Sequence, residues 1–191
     1  MQPYIAISLG WGVQSWTLAA MSALGELPPV DVAIHADTTH ERSSTYAFAE
    51  QWTPWLEAHG VRVVTVVNPD QAARVTTFAT DIPAYTERDV PEYHYTDDDE
   101  RRLATGRTVR AQGRLKRQCT GRWKIGPQRA WLQANRNGHP VEQWFGITTD
   151  EWHRAKDSDV KYITHRYPLL DMGMSRADCL RWLRNHDLPT P

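Results

Sequence analysis

The sequence predicts an α/β domain built on a doubly wound, mostly parallel sheet with helices on both faces. Three observations predict it. Strand-like and helix-like segments alternate along the chain, the first strand passes through a glycine turn straight into a helix, and the third strand is β-branched enough to be buried. Units of this kind join by right-handed crossovers and bind ligands at the carboxyl ends of the strands, where the strand order reverses.

The first strand is the apolar run Tyr4 to Ile7, which breaks into a turn holding Gly10 and Gly12. Val13, Trp16, Thr17, Ala20, Met21 and Leu24 then fall at helical spacing, and Gly25 suits a C-terminal cap ahead of Pro28 and Pro29. "VDVAIHADT" is the second strand, with Val30, Val32 and Ile34 facing one way and Asp37 at its carboxyl end. Ser43 to Ala58 carries Tyr46, Ala49, Trp52 and Leu56 at helical spacing, with Pro54 expected to kink it. Gly60 ends that helix before "VRVVTVV", the third strand, and Val141 to Ile147 is a fourth. A helix is expected from about Pro127, since proline is tolerated in a first turn, and another from near Ser175, which forms a capping box with Asp178.

Residues 68–117, between the third and fourth strands, carry no long periodicity, and a connection of that length in a compact domain is a functional or mobile segment. Its acidic run, Asp97 to Glu100, gives way to a stretch without a carboxylate until Glu142. Arg101, Arg102, Arg107, Arg110, Arg114, Lys116, Arg117, Arg122, Lys124 and Arg129 together are ten of the chain's 22 Lys and Arg. That concentration favours recognition of a polyanion over a loop tethered to its acidic neighbour.

With 191 residues and 40% apolar content, the chain can bury one real core, so residues 1–191 are read as a single domain. Cys119 and Cys179 are too few for a disulfide framework or a four-thiolate metal site, which suits a reducing, cytoplasmic compartment. No apolar stretch approaches the roughly 18 residues of a membrane span, and no basic, then apolar, leader opens the chain. The eight histidines show no metal-ligand spacing; His35 and His40 flank Asp37, where a structural or surface role is favoured. Of the nine tryptophans, some should cap the core and some should line a groove.

A glycine turn followed by a helix N-terminus points backbone N–H groups at an anion. A Walker loop is excluded, because Val13 and Gln14 stand where its lysine is needed. A dinucleotide fingerprint matches weakly, since the glycine spacing is incomplete although Asp37 follows. Blander roles stay open: Gly10 and Gly12 as a tight turn, Asp37 as a cap for the next helix, Asp150 and Glu151 as helix N-terminal carboxylates.

Gly10, Trp11, Gly12, Val13, Gln14 and Ser15, with Ser8 just upstream, resemble the pyrophosphate loop of the adenine-nucleotide alpha-hydrolase superfamily, usually Ser-Gly-Gly-x-Asp-Ser. Together with "HADTTHERSSTY", "RQCTGRWKI", "GITTDEWHRAK" and "RYPLLDMGMSRADCLRWL" in the same order, the chain resembles the phosphoadenosine phosphosulfate reductase-like subgroup often found in phage genomes. The resemblance implies a five-stranded doubly wound sheet binding ATP or an adenylyl-sulfate-like nucleotide across its carboxyl edge. It implies that Ser15 meets a phosphate, that Gly10 and Gly12 allow close backbone approach, and that Asp37 and its neighbour Thr38 lie near the nucleoside. Gly146 would leave room for ribose and triphosphate, and Arg117, Arg122 and Lys124 would meet the anionic end of the substrate or leaving group. Residues 68–117 become the substrate loop of this nucleotide-binding domain. Trp11 replaces a glycine, so a left-handed conformation there would distort the loop, or the indole would close over a base or second substrate. Gln14 replaces an aspartate, which keeps hydrogen bonding and removes a charge able to help hold Mg²⁺; no metal ligand is assigned.

The leading expectation is an enzyme that binds ATP with Mg²⁺, cleaves between the α and β phosphates, and adenylylates an acceptor with release of pyrophosphate. Nucleic acid is one candidate acceptor, a homo-oligomer is compatible with the sequence, and a phage-encoded protein would work in the host cytoplasm. A second expectation is a phosphoadenosine phosphosulfate reductase-like enzyme using an external thiol. Two thiols in one protomer build no iron–sulfur cluster, and Cys119, in its basic neighbourhood, is the thiol to test. A third is a nucleic-acid-binding module of a modification system.

Overall fold

A computed structural model describes residues 1–39, 41–69 and 120–191. Five strands form one parallel sheet in the order β3-β2-β1-β4-β5: β1 is Tyr4–Ser8, β2 Val32–Asp37, β3 Val63–Val67, β4 Val141–Phe145 and β5 Ile163–Arg166. Among the described residues five α-helices accompany them: α1 Val13–Ala23, α2 Ser43–Ala58, α3 Gly126–Asn135, α4 Pro168–Asp171 and α5 Arg176–Asn185. The expected doubly wound α/β fold is the observed one.

Alternation along the strands feeds two cores. Ile7, Ala33 and Trp144 turn toward α1 and α5, where they meet Trp16, Leu18, Ala19, Cys179 and Leu183. Ala6, Val32, Ile34, Val141 and Ile163 turn the other way, toward Leu132 of α3. Full burial of one such aliphatic side chain contributes about 1.5–3 kcal/mol, so these two layers fix which helix lies on which face. The expectation that Val30, Val32 and Ile34 face one way holds for Val32 and Ile34, whereas Val30, ahead of the strand, packs in the other core; every residue of β2 from Val32 to Ala36 is buried, as in a central parallel strand. The third strand differs in the other direction: β3 pairs only with β2 among the described strands and its residues are half-buried or exposed, because an edge position covers it less.

Local signals survive well. Gly25 and Gly60 adopt left-handed φ of 77° and 82° just after α1 and α2, as helix-ending glycines do. The Ser175–Asp178 capping box opens α5, and Pro127 sits in the first turn of α3. α2 runs through Pro54 as one element. A π-helical turn, Thr120–Ile125, leads into α3, and β4 stops at Phe145, ahead of Gly146 and Ile147. His40, Arg117, Cys119 and nearly all of the expected substrate loop lie outside the described residues.

Candidate functional site

The strand order reverses between β1 and β4, so the crevice outside their carboxyl ends is where this fold class binds ligands. The β1–α1 turn lies there. Gly12 caps α1 with extended backbone and no side-chain hydrogen bond, and the first turn of the helix carries no acidic residue. Among the described residues, no hydrogen bond takes up the N–H groups of residues 11–15. Ser15 folds back on the turn: its hydroxyl donates to the Gly12 carbonyl and accepts from the Gly10 N–H, each at 3.2 Å. Unbonded N–H groups at a positive helix end, beside a hydroxyl bound only to its own loop, are of the kind that anions can meet.

Two positions in this turn behave differently from the sequence expectation. The left-handed residue is Trp11, at φ 53°, and the glycines on either side do not need that conformation. The turn keeps its shape with a tryptophan because the indole is 2% exposed and wedged against Trp16 and Phe48. Trp11 is therefore a core anchor and not a lid over a base. At Gly146, a Cβ would stand 2.6 Å from the Ser15 nitrogen and 2.7 Å from the Gln14 carbonyl carbon. Its bare α-carbon lets the exit of β4 pack directly on the first turn of α1.

Ser8 ends β1 beside Ile34 and Phe145. Asp37 ends β2, and its Oδ1 accepts from the Thr39 N–H at 2.6 Å and from the Tyr46 hydroxyl at 2.8 Å. It thus braces its own loop against α2, whose N-cap is Arg42. Burial, with the hydrogen bond to Asp37, pushes the Tyr46 phenol up to about 12, which keeps it a donor. Thr38 donates to Glu41 Oε1 at 3.0 Å, and Lys124 reaches the same oxygen at 2.9 Å from the π-helical turn. Burial works to raise the Glu41 pKa, but the bonds and charge of Lys124, with Thr38, outweigh it and leave the carboxyl below its usual range. Lys124 is thereby brought to the β2 edge; Arg122 lies two residues before it in the same turn. His35 is buried and its Nδ1–H donates to the Leu9 carbonyl at 3.1 Å, a structural tie between β2 and the turn.

Sequence reasoning missed Arg176. As the first residue of α5 it extends a guanidinium to Gln14, donating from Nη1 to Oε1 at 2.8 Å. Asp150 accepts the Arg176 backbone N–H at 2.6 Å, so this carboxylate caps α5 and not its own 3-10 turn. A cation at the start of a capped helix runs against the helix dipole, and that misfit was visible beside the Ser175 signal.

Among the described residues, no group of three or more His, Cys, Asp or Glu could hold a metal ion, and no helix is long and apolar enough to cross a membrane. Gln14, standing where the resemblance expects an aspartate, gives its carbonyl oxygen to Arg176. The first turn of α1 therefore offers Mg²⁺ no carboxylate of its own. Of the nine tryptophans, only Trp152, in the turn after β4, is largely exposed. Cys179 is buried against α1, and burial pushes its thiol up to about 11. In a Cys119→Ala variant, the remaining thiol should react with a disulfide reagent only on unfolding; fast reaction in the native protein would show that α5 opens.

No family model and no curated protein matches the chain. Among solved structures it is similar to a phosphoadenylyl-sulfate (PAPS) reductase from Candida auris, determined as a phosphate complex, at 12% identity and a TM-score of 0.55. The match covers all of this chain and 76% of that one, and the likeness is one of fold.

Proposed function

We propose that the chain is an adenine-nucleotide enzyme that holds the phosphates of ATP on the β1–α1 turn, cleaves between the α and β phosphates, and passes the adenylyl group to an acceptor. The observation that carries this reading is the uncapped start of α1 at the strand-order reversal, with free N–H groups from Trp11 to Ser15. Ser15 would exchange its bond to Gly12 for one to a phosphate oxygen, and Gly10 and Gly12 leave the backbone open to the ligand. Asp37 and Thr38 would sit beside the nucleoside. Lys124, together with Arg117 and Arg122, would stabilise charge growing on the pyrophosphate as the bond between the α-phosphorus and the bridging oxygen breaks. Positioning and cations suffice for such a step, in which the acceptor oxygen supplies the electron pair and no protein nucleophile is needed. No step is assigned to Mg²⁺.

The fold likeness favours a second reading, reduction of a phosphoadenosine phosphosulfate-like substrate by a thiol. Cys179 is buried and unsuited to this, which leaves Cys119 or an external thiol. The two readings separate on products. Labelled ATP is expected to yield AMP and pyrophosphate; ADP and phosphate would overturn the mechanism. Sulfite release from phosphoadenosine phosphosulfate that vanishes only in Cys119→Ser would establish the reductase instead.

A further inference from the structure

Arg176 has an arrangement that folding does not call for. It is the first residue of a ten-residue helix, where a positive side chain opposes the helix dipole. Its guanidinium has one hydrogen bond among the described residues, to the neutral side-chain oxygen of Gln14. The nearest carboxylate partner of this segment, Asp150, reaches the backbone N–H and not the guanidinium. Gln14 is itself the second residue of α1, so the guanidinium is held beside the free N–H groups of the phosphate turn. A guanidinium carries five N–H donors in a planar fork suited to phosphate, and among the described residues one is engaged.

We propose that Arg176, steered by Gln14, is the protein's own cation for the phosphate tail at this turn, in the place where a carboxylate would otherwise help hold a metal. The inference rests on the nucleotide reading above and deepens it, since it selects ligands with a terminal di- or triphosphate over a bare nucleoside. Gln14 orients the guanidinium without neutralising it. An aspartate there would instead pair with the arginine and cancel the charge offered to the ligand.

The test is calorimetric titration of the full chain with inorganic pyrophosphate, ATP and adenosine, with melting temperatures measured alongside. Arg176→Ala is expected to weaken pyrophosphate and ATP about tenfold to a hundredfold, the loss of one charge-assisted contact, and to leave adenosine unaffected. Its melting temperature should hold or rise, because alanine is a strong helix former and a misplaced charge has gone. Arg176→Gln keeps a donor for Gln14 without the charge and should lose affinity in the same way. Gln14→Ala should lose less alone, and nothing further in the Arg176→Ala background, if it acts through the arginine. Unchanged pyrophosphate affinity in Arg176→Ala or in Arg176→Gln overturns the inference and leaves the nucleotide reading standing. If the unsubstituted protein binds neither pyrophosphate nor ATP, the nucleotide reading fails, and this inference with it.

Discussion

Gly146→Ala is expected to destabilise the protein by about 1–3 kcal/mol, seen as a drop of several degrees in melting temperature for a chain of this size. The added methyl carbon would stand at 2.6 Å from Ser15 N, 2.7 Å from Gln14 C and 2.9 Å from Ser15 Cα, all backbone atoms. A flexible side-chain end can turn away; a helix start cannot, so either β4 or the first turn of α1 must move. Because that turn presents the N–H groups proposed to hold phosphate, ATP affinity should fall with stability. Gly12→Ala is the control for stability alone, since a Cβ there meets nothing within 4 Å and the residue has extended backbone at φ −91°. Thermal unfolding of both variants decides the matter. A Gly146→Ala protein within about 0.5 kcal/mol of the parent would mean that the β4 exit and the turn are not in contact.

Trp11→Ala should be more damaging still, at about 3–5 kcal/mol, the usual cost of removing a large buried aromatic side chain. The indole lies 6.1 Å, centroid to centroid, from both Trp16 and Phe48, and Trp16 packs in turn on Trp52 and Trp55. Each aromatic pair adds about 0.5–1.5 kcal/mol beyond burial, which outweighs the roughly 1–2 kcal/mol that a left-handed non-glycine residue costs. That balance makes a further prediction about the same site. Trp11→Gly should be less destabilising than Trp11→Ala, because relief of the left-handed conformation exceeds the roughly 0.4–1 kcal/mol of extra freedom that glycine gains in the unfolded chain. Urea denaturation of the pair measures the difference directly. The opposite order would show that residue 11 leaves the left-handed region once the indole is gone.

The fold class was legible because it rests on short-range patterns. Helical spacing from Val13 to Leu24, the Ser175–Asp178 box and Gly25 act over one or two turns, so the chain shows them without knowing its neighbours. The glycine turn between β1 and α1 was legible for the same reason, being continuous in sequence. Where the reading erred, a distant partner decided. β3 looked like a buried strand, and the sheet order put it at an edge. Trp11 looked like an obstacle to the turn, and α2 supplied Phe48 to hold it there. Two readings left open were filled in by contacts: Asp37 accepts from Tyr46 of the next helix, and Asp150 caps a helix farther along the chain.

The sequence by itself therefore determined β1 to β4, the helices α1, α2, α3 and α5, their order and the place of the glycine turn, since hydrophobic period, caps and glycines are local properties of the chain. Only the tertiary structure decided that Gly146 must lack a side chain, that Lys124 meets Glu41, and that Arg176 lies against Gln14. Those contacts join residues far apart in sequence, where nothing in the spacing constrains distance. The last arises because packing α1 and α5 on one face of a parallel sheet brings the start of each helix to the same carboxyl edge.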